Sequence, residues 1–426
     1  MINNFLVDPE LLVGVLQMSN GQNIILIIGG GAAGFFGAIA CAEANSSKRV
    51  ILLEKHRQLL SKVRISGGGR CNVTHACFEP ALLVQNYPRG YQALKGPFSS
   101  FQPRDTIQWF KQRGVELKVE EDGRMFPVTD DSETIINCLM QSAAHAGVKV
   151  CIECGIENII FSNPGFVVLL QNGDRLECER LLVASGSNTK MFTCLETLGH
   201  SIVPPVPSLF TFNTPDSPLL ELAGIAVPHV HASIAETNLQ QTGPVLLTHW
   251  GFSGPAVLKL SAWGARILHE KQYQAKLLIN WLPDMTKEAL IQRLHEFKIK
   301  NPAKQISSEC PLDLPKNLWK KFVLMAQIPS DIRWSYFSKA HLNSLLQILL
   351  RSSFNIQGKS TYKEEFVTSG GVNLNEVNFK NMESKKCPGL HFAGEVLDID
   401  GVTGGFNFQN AWTTGWIAGR AMADLK

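Results

Sequence analysis

The first regular pattern in the chain is a pair of apolar runs separated by a helix-like stretch. Residues 24–28 (Ile-Ile-Leu-Ile-Ile) and 50–53 (Val-Ile-Leu-Leu) are short and wholly apolar, which predicts strands buried on both faces. A glycine-rich turn, residues 29–34, follows the first run, and Glu54 follows the second. Strand, glycine turn, helix, strand and acidic residue in this order are typical of a βαβ dinucleotide-binding unit.

Each glycine of that turn meets a need of a bound dinucleotide. Gly29 permits the tight turn, Gly31 lets backbone N–H groups approach a pyrophosphate, and Gly34 lets the helix pack close to the strand. The helix N-terminus adds partial positive charge and free N–H donors. Glu54, 20 residues beyond Gly34, is placed to accept hydrogen bonds from ribose hydroxyls.

Later patterns predict further helices, strands and a crossover between regions. Five prolines between residues 204 and 218 mark the crossover, after which 208–285 is β-rich, and from about residue 360 the strand–glycine–helix character returns. The predicted helices are 105–113, 131–146, 289–297, 315–326 and 341–350. The predicted strands are 148–153, 156–161, 166–171 and 175–183, with 181–186 read as a buried strand that ends in small residues.

Three consecutive glycines, Gly67–Gly69, interrupt the chain soon after the βαβ unit. Three glycines cost backbone entropy and cannot form a stable helix interior, so they suit a loop that lies against a flat or anionic group. Arg64 and Arg70 flank them and favour a loop that contacts a cofactor; a flexible surface turn is the alternative.

A second strand–glycine–helix pattern lies near the C-terminus. The apolar strand 390–393 ends in Gly394-Glu395, and a carboxylate there can accept hydrogen bonds from a ribityl chain. A helix starting at Gly404-Gly405 would direct its positive end at N1 and O2 of a reduced flavin. A packed C-terminal helix with an ordinary loop is the alternative. An NAD enzyme needs one such unit, whereas FAD spans from adenine to flavin, so the two patterns together favour FAD.

Composition and charge set the broad class. With 426 residues, 45% apolar and 18% charged, the chain is globular with two or three domains. A net charge of +3 gives no electrostatic case for nucleic acid. No apolar run reaches the length of a membrane helix. The apolar stretch 5–18 contains Asp8 and Glu10, so we read it as a local extension rather than a signal peptide, and we expect a cytoplasmic protein without a membrane partner.

The ten cysteines are irregularly spaced, and without an export signal they are interpreted as reduced thiols. Cys151 and Cys154 form a CxxC pattern, but in a predicted strand rather than at a helix N-terminus, where a thiolate would be stabilised. No second pair follows at zinc spacing, so we expect neither a redox nor a metal role.

No catalytic acid or base can be assigned from the sequence. His249, before a loop-to-helix start, is a candidate proton donor, although a structural hydrogen bond is the preferred interpretation. Cys71 lies beside the glycine loop, and a redox role for it is the less favoured of two interpretations. Asp398 and Asp400 flank the C-terminal loop and are interpreted as shaping it.

At these motifs the chain resembles the BaiN-like, or aminoacetone-oxidase-like, FAD-binding flavoproteins over about residues 22–426. The matching segments are 29–34, 65–72 (Ile-Ser-Gly-Gly-Gly-Arg-Cys-Asn), 248–256 (Thr-His-Trp-Gly-Phe-Ser-Gly-Pro-Ala), 369–372 (Ser-Gly-Gly-Val) and the block 382–407. The chain departs from the family where Ser187-Asn188-Thr189 directly follows the strand, since many relatives have a longer glycine-rich stretch there. Residues 1–22 have no recognised counterpart.

The resemblance implies an α/β fold with a Rossmann-like, glutathione-reductase-like FAD-binding domain built from both chain ends, and an inserted β-barrel-like plus helical domain. We therefore predict an N-terminal extension (1–22), a FAD-binding domain (23–203 and 354–426), a β-rich insert (204–285) and a helical insert (286–353). The resemblance also implies FAD contacts at Ala33, at Glu54, in the Gly67–Asn72 loop, at Glu395 and at Asn407–Phe408.

The predicted function is a FAD-dependent oxidoreductase that transfers a hydride between flavin and a small organic substrate, with NAD(P)H as a transient electron donor. A flavin-dependent amine oxidase and a flavin-binding module linked to RNA modification are the alternatives; no nucleic-acid partner and no metal are expected. The predicted cofactor-binding residues are Gly29, Gly31, Ala32, Ala33, Gly34, Glu54, Lys55, Arg64, Ser66, Gly67, Gly68, Gly69, Arg70, Cys71, Asn72, Ile156, Gly394, Glu395, Gly404, Gly405, Phe406, Asn407 and Phe408.

Overall fold

The computed structural model describes residues 23–360 and 367–424. The N-terminal extension predicted for residues 1–22 lies outside the described residues. The chain divides into two compact units, unit 1 (Met1–Pro207 with Lys363–Lys426) and unit 2 (Ser208–Tyr362). Unit 2 is one continuous segment, whereas unit 1 is built from both ends of the chain. The division of the insert at residues 285 and 286 stays a prediction.

Unit 1 is built on a parallel sheet with the strand order β22-β10-β1-β2-β6, extended by antiparallel β21 and β20 beyond β22. Its strands are β1 (Ile24–Ile28), β2 (Arg49–Leu53), β3 (Thr74–His75), β4 (Leu117–Val119), β5 (Arg124–Pro127), β6 (Lys149–Cys151), β7 (Ile156–Phe161), β8 (Phe166–Leu170), β9 (Arg175–Cys178), β10 (Arg180–Val183), β11 (Ile202–Ser208), β19 (Val367–Val372), β20 (Val377–Asn378), β21 (Glu383–Ser384) and β22 (Leu390–Phe392).

The helices of unit 1 cover this sheet. They are α1 (Ala32–Ala44), α2 (Ser61–Gly69), α3 (Pro80–Leu83), α4 (Lys95–Ser100), α5 (Pro103–Lys111), α6 (Ser132–His145), α7 (Thr189–Thr197) and α13 (Phe406–Ala423). Glycines bring α1 and α13 together: a Cβ at Gly415 would lie 2.6 Å from Ala33 O, and one at Gly419 would lie 2.3 Å from Gly37 O. The close approach of these two helices therefore requires glycine, and it joins the two chain ends.

The predicted strand 175–183 is two strands in two different sheets. β9 continues the antiparallel β7-β8-β9 sheet, whereas β10 enters the parallel sheet between β1 and β22. The chain changes sheet at Glu179, whose N–H donates to Ile24 O (2.9 Å) and whose carboxylate accepts from the buried Lys48 Nζ (2.8 Å). The segment 175–183 (Arg-Leu-Glu-Cys-Glu-Arg-Leu-Leu-Val) contains no turn residue that would reveal this change of sheet.

Unit 2 combines an antiparallel sheet, order β17-β16-β13-β14-β15-β12-β18, with helices. Gly358 alone separates β17 from β18, so the chain links the two edges of this order, in agreement with a barrel-like insert. The strands are β12 (Thr211–Asn213), β13 (Ala226–Ile234), β14 (Gln240–Leu247), β15 (Gly251–Ser253), β16 (Gln274–Asn280), β17 (Ser352–Gln357) and β18 (Lys359–Ser360); the helices are α8 (Pro255–Trp263), α9 (Ala265–Glu270), α10 (Lys287–Lys300), α11 (Lys316–Met325) and α12 (Lys339–Arg351).

One hydrophobic core in unit 2 joins its sheet to its helices. Buried residues from Phe210 to Ile356 contribute to it, including the tryptophans Trp281, Trp319 and Trp334. Helices α10 and α12 begin at side-chain caps, since Thr286 accepts from Ala289 N (3.2 Å) and Ser338 accepts from His341 N (3.1 Å). The predicted helices 289–297, 315–326 and 341–350 correspond to α10, α11 and α12.

Two of the ten cysteines are paired. Cys151 and Cys154 form a disulfide, so the expectation of reduced thiols is wrong for this pair. Glu153 has a left-handed φ of +59°, which turns the chain back after β6 and brings the two cysteines together. The other eight cysteines are free. Among the described helices, none has the length and apolar character needed to cross a membrane.

Candidate functional site

The glycine turn after β1 has the steric requirements that its sequence predicts. Gly29 has a φ of +113°, and a Cβ there would lie 2.4 Å from Ala184 O. A Cβ at Gly34 would lie 1.9 Å from Gly29 O, so this position also requires glycine. At Gly31, which precedes α1, a Cβ would meet nothing within 4 Å. The turn is therefore tight at two positions and open at the third, where a phosphate is predicted.

Helices α1 and α13 both begin without a side-chain cap. Gly31 and Gly405 occupy the N-cap positions, and neither can supply a side-chain acceptor. The first-turn N–H groups that are not bonded within the protein are thus left to other acceptors. Such helix ends are suited to anions and to the negative side of a ligand.

Glu54, at the end of β2, is held beside the glycine turn. Its Oε2 accepts from Gly30 N (2.7 Å) and its Oε1 from His56 N (2.9 Å). Its backbone carbonyl accepts from Cys154 N (2.8 Å), two residues before the buried Ile156 that begins β7. The structure thus brings Ile156 to the same end of the sheet as Glu54, while the predicted contact with adenine stays a prediction. Lys55 is exposed.

The triple-glycine loop departs from helix geometry at Ser66. Gly67, Gly68 and Gly69 have left-handed φ angles of +59°, +70° and +85°. A Cβ at Gly67 would lie 2.8 Å from the Phe126 ring, whereas Cβ atoms at Gly68 and Gly69 would meet nothing within 4 Å. One side of the loop therefore packs on the protein and the other is open, as a loop that contacts a flat ligand would be.

Both arginines beside this loop pair with carboxylates. Arg64 forms an ion pair with Glu133. Arg70 donates from Nη1 to Glu120 Oε1 (2.7 Å) and lies 4.0 Å above the centre of the Phe126 ring. These contacts hold the ends of the loop, and the predicted contacts of Arg64 and Arg70 with the cofactor stay predictions.

Cys71 and Asn72 lie at the inner end of the loop. Burial raises the pKa of the Cys71 thiol to about 12, so the sulfur is protonated at neutral pH and is a poor nucleophile. The Asn72 amide accepts from Gly405 N (3.0 Å) and donates to Thr74 O (3.1 Å). Asn72 thus ties the N-terminal loop to the start of α13.

The Gly394-Glu395 pair lies against the start of α1. A Cβ at Gly394 would lie 2.8 Å from the Cβ of Ala33, and Gly394 N donates to Thr414 Oγ1 on α13 (2.9 Å). Glu395 Oε2 contacts Lys62 Nζ at 2.5 Å, and its Oε1 accepts from Thr368 N (2.9 Å). Residues 333 positions apart in sequence therefore meet at Glu395.

The loop before α13 is fixed by contacts with residues 74–89. The fully buried Asp400 forms a bidentate ion pair with Arg89. Phe406 stacks on His75 with ring centres 4.6 Å apart, and its carbonyl accepts from Tyr87 OH (2.6 Å). Asp400 thus shapes the loop, as the sequence suggests.

The last predicted residues also have partners within unit 1. The Asn407 side chain bonds to both backbone groups of Gly401 (2.8 and 2.9 Å), and Phe408 stacks on Trp412 at 5.6 Å. Gly404 O contacts His75 Nδ1 at 3.0 Å. These bonds order the segment 401–408, and its predicted contacts with the cofactor stay predictions.

His249 is exposed in the turn between β14 and β15 of unit 2. The structural hydrogen bond preferred for its side chain is not present among the described residues. Thr248 closes this turn instead, since its hydroxyl accepts from Gly251 N (3.1 Å). The catalytic role of His249 stays a prediction.

Three residues near Glu395 were not predicted from the sequence: Lys62, Thr368 and Ser185. The Ser185 hydroxyl is buried with no hydrogen-bond partner among the described residues. The next residue, Gly186, lies so that its Cβ would be 3.7 Å from Glu395 Oε2. Ser185 follows the central strand β10, and the rule that ligands bind at the carboxyl ends of parallel strands would have indicated it. Lys62 and Thr368 carry no such signal.

A model for the HI0933-like protein Rossmann domain family matches residues 23–421. The chain belongs to this family. The family and the fold together identify the protein as a flavoprotein and a FAD-dependent oxidoreductase with a Rossmann-type FAD-binding domain.

Individual relatives cover nearly the whole chain. A ribosomal RNA dihydrouridine synthase of Escherichia coli (strain K12) is 30% identical, with 94% of this chain and 98% of that protein covered. A 3-dehydro-bile acid delta(4,6)-reductase of Clostridium scindens is 26% identical, with 95% of this chain and all of that protein covered. The solved structure of 3-ketosteroid delta1-dehydrogenase from Sterolibacterium denitrificans has the same fold, with a TM-score of 0.50, 11% identity, and coverage of 94% of this chain and 100% of that chain.

The geometry of unit 1 fits FAD. The open side of the glycine turn and the uncapped start of α1 suit an anionic group such as a pyrophosphate, and Glu54 lies beside the same turn. Near the carboxyl ends of β22 and β10, Glu395 offers a hydrogen-bond acceptor, and the Ser185 hydroxyl, which has no partner among the described residues, offers a donor.

Replacement of Glu395 by alanine is expected to weaken FAD retention by about 1–3 kcal/mol, a five- to 150-fold rise in Kd, because a partly buried acceptor is lost. FAD titrations followed by flavin fluorescence measure this effect. Glu376→Ala is the matched control, since Glu376 also accepts from a backbone N–H (Ser201, 2.9 Å) and from a lysine (Lys386, 2.7 Å). Equal Kd values for the two variants would remove Glu395 from the site.

Proposed function

We propose that this protein is a FAD-dependent reductase of a carbon–carbon double bond conjugated with a carbonyl group in a small organic substrate, with NAD(P)H as the electron donor. The observation that carries the proposal is the meeting at Glu395: a carboxylate at the end of β22 lies beside the start of α1 and 2.5 Å from Lys62. The residues that we propose for the two halves of the cofactor site therefore lie within unit 1.

The proposed roles of the residues follow from their positions. Gly31 and the first turn of α1 bind the pyrophosphate, and Glu54 binds the adenosine ribose. Glu395 accepts hydrogen bonds from the ribityl hydroxyls. The N-terminus of α13 directs its positive end toward the pyrimidine side of the ring, where reduction places negative charge. FAD supplies the hydride transfer at its N5 atom.

The substrate class is supported by the chemistry that the relatives share. Dihydrouridine differs from uridine by saturation of a C5–C6 bond next to a carbonyl, and a delta-reductase of a 3-dehydro-bile acid likewise acts on ring double bonds near a carbonyl. In both cases, the carbonyl accepts the electron density as hydride arrives at the far carbon. We therefore propose an enone or enone-like group as the reacting part of the substrate.

The electron donor is proposed from the single nucleotide fingerprint of the chain. Because no second fingerprint follows the first in the sequence, NAD(P)H is expected to visit the flavin transiently rather than occupy a domain of its own. On anaerobic mixing of the FAD-loaded protein with NADH or NADPH in a stopped-flow instrument, the absorbance near 450 nm is expected to fall with at least one donor. Addition of a conjugated enone is then expected to restore it.

The same experiment separates reductase from oxidase. Absence of bleaching with both NADH and NADPH contradicts the pyridine-nucleotide-fed reductase. Bleaching by a small amine, with oxygen uptake on return to air, indicates the amine oxidase instead. Free FAD at matched absorbance, without protein, serves as the control for reaction of the donor with flavin in solution.

A second candidate function is reduction of uridine in ribosomal RNA. The E. coli relative with this name is 30% identical over almost its full length. The charge distribution also favours it: residues 208–362 carry sixteen lysines and arginines against ten acidic residues, whereas the rest of the chain carries 24 against 27. The overall charge of +3 hides this basic insert. The expectation that nucleic acid is not a partner rests on the overall charge and stays untested.

A further inference from the structure

Two segments of unit 2, residues 298–304 and 333–339, lie side by side and form what we call the basic edge. Trp334 N donates to Lys304 O (2.9 Å), and Ser335 N donates to Pro302 O (2.9 Å). A β-bridge joins Gln305 to Arg333. The backbone thus fixes the spacing of the side chains on both segments.

The basic edge concentrates positive charge. Its cations are Lys298, Lys300, Lys304, Arg333 and Lys339, all exposed except the half-buried Lys298. Lys304 pairs with Glu309 at 3.4 Å, and Lys298 Nζ donates to Phe337 O (2.8 Å). The segments themselves contain no acidic residue; Glu296, Glu309 and Asp331 lie just outside them.

An exposed aromatic ring lies among these charges. Tyr336 is 72% exposed, and Ile299 on the neighbouring segment is 78% exposed. The turn that carries Tyr336 is held in place by Trp334, two residues earlier. The Trp334 ring is fully buried, and its centre lies 5.2 Å from that of Phe297 and 5.1 Å from that of Phe337. Tyr336 is therefore a ring presented on a rigid support, at little ordering cost on binding.

Cations around a rigid, exposed ring suit one class of partner best. Lysine and arginine attract a phosphate backbone, and an aromatic ring stacks on a base that is not already stacked in a duplex. An acidic protein surface would use the cations but not the ring. We propose that the basic edge docks single-stranded RNA, with Tyr336 stacking on a base. This inference rests on the second candidate function and specifies its partner surface.

Fluorescence anisotropy of the FAD-loaded protein with a labelled, uridine-containing 12-nucleotide RNA tests the proposal. With about four phosphate contacts, the affinity is expected to fall about 50-fold between 50 and 200 mM salt. Lys300→Gln with Arg333→Gln is expected to weaken binding about tenfold and to reduce the salt slope. Lys271→Gln with Lys276→Gln, which removes the same charge from exposed positions elsewhere in unit 2, is the matched control and is expected to change Kd less than twofold.

The ring is tested separately from the charge. Tyr336→Ala is expected to weaken binding about tenfold at an unchanged salt slope, and Tyr336→Phe to restore it, because stacking needs the ring and not the hydroxyl. The proposal would be overturned if the basic-edge and control variants lost equal RNA affinity, or if duplex RNA bound as tightly as single-stranded RNA. It would also be overturned if polyglutamate competed with RNA equally well in the wild-type protein and in Tyr336→Ala.

Flavin reduction by NAD(P)H, measured on the same samples, separates this inference from the reductase proposal. Normal flavin reduction without RNA binding by the wild-type protein refutes the docking surface and leaves the reductase in place. If the protein binds RNA through the basic edge but NAD(P)H does not reduce its flavin, the reductase proposal is refuted and the docking surface is kept.

Discussion

Replacement of Gly34 by alanine is expected to destabilise unit 1 by about 3 kcal/mol or more and to abolish FAD retention. The new Cβ would lie 1.9 Å from Gly29 O, and the βαβ unit fixes the backbone at both residues, so α1 would have to move away from β1. Thermal unfolding of the apoprotein and FAD titration measure the two effects.

Replacements at two other glycines separate the effect on stability from the effect on FAD binding. Gly31→Ala is expected to leave the thermal midpoint of the apoprotein unchanged, since the Cβ meets no protein atom within 4 Å, but to weaken FAD binding at least tenfold. Gly96→Ala, exposed in α4 with equally open surroundings, is expected to change neither. If Gly31→Ala binds FAD normally, the phosphate does not lie at this turn.

Replacement of Asp400 by asparagine is expected to cost about 3–5 kcal/mol of stability, because Arg89 would keep its charge in a largely buried place without its carboxylate. The thermal midpoint should fall by about 5–10 °C. The segment 399–408 should loosen as well, and FAD retention with it. Differential scanning fluorimetry with and without FAD reports both changes.

Two further variants make the prediction on Asp400 specific. The double replacement Arg89→Met with Asp400→Leu should lose less stability than Asp400→Asn alone, because no unpaired charge stays buried. Glu177→Gln breaks the exposed pair with Arg175 and should cost under about 0.5 kcal/mol. A loss for Asp400→Asn as small as that for Glu177→Gln would mean that the Arg89–Asp400 pair does not hold the loop.

The sequence predicts the βαβ unit well because its rules are local. A buried apolar run, a glycine that must adopt positive φ and a helix start within about 30 residues leave few alternative structures. The same holds for α6, α10, α11 and α12, whose apolar patterns are local; α6, α10 and α12 also begin at side-chain caps. The family shows that the predicted FAD-binding fold is correct.

What the sequence does not predict depends on contacts between distant residues. Lys62 meets Glu395 just after β22, and Arg89 meets Asp400 in the loop before α13; the two pairs are 333 and 311 positions apart in sequence. The change of sheet at Glu179 is set by the partners of β9 and β10 rather than by their composition. The Cys151–Cys154 bond depends on one left-handed residue, Glu153, which no periodicity reveals.

Because α1 packs on α13, unit 1 cannot complete its fold until the C-terminal segments have been translated. The ribosome makes α1, then all of unit 2, and only afterwards β22 and α13. Until those late segments emerge, β10 can pair with β1 but lacks β22 on its other side, and α1 lacks the helix on which it packs. Unit 2 is continuous in sequence and has its own hydrophobic core, so it can fold during translation. Under the proposed function, FAD can bind fully only after the C-terminal residues of its site have been made.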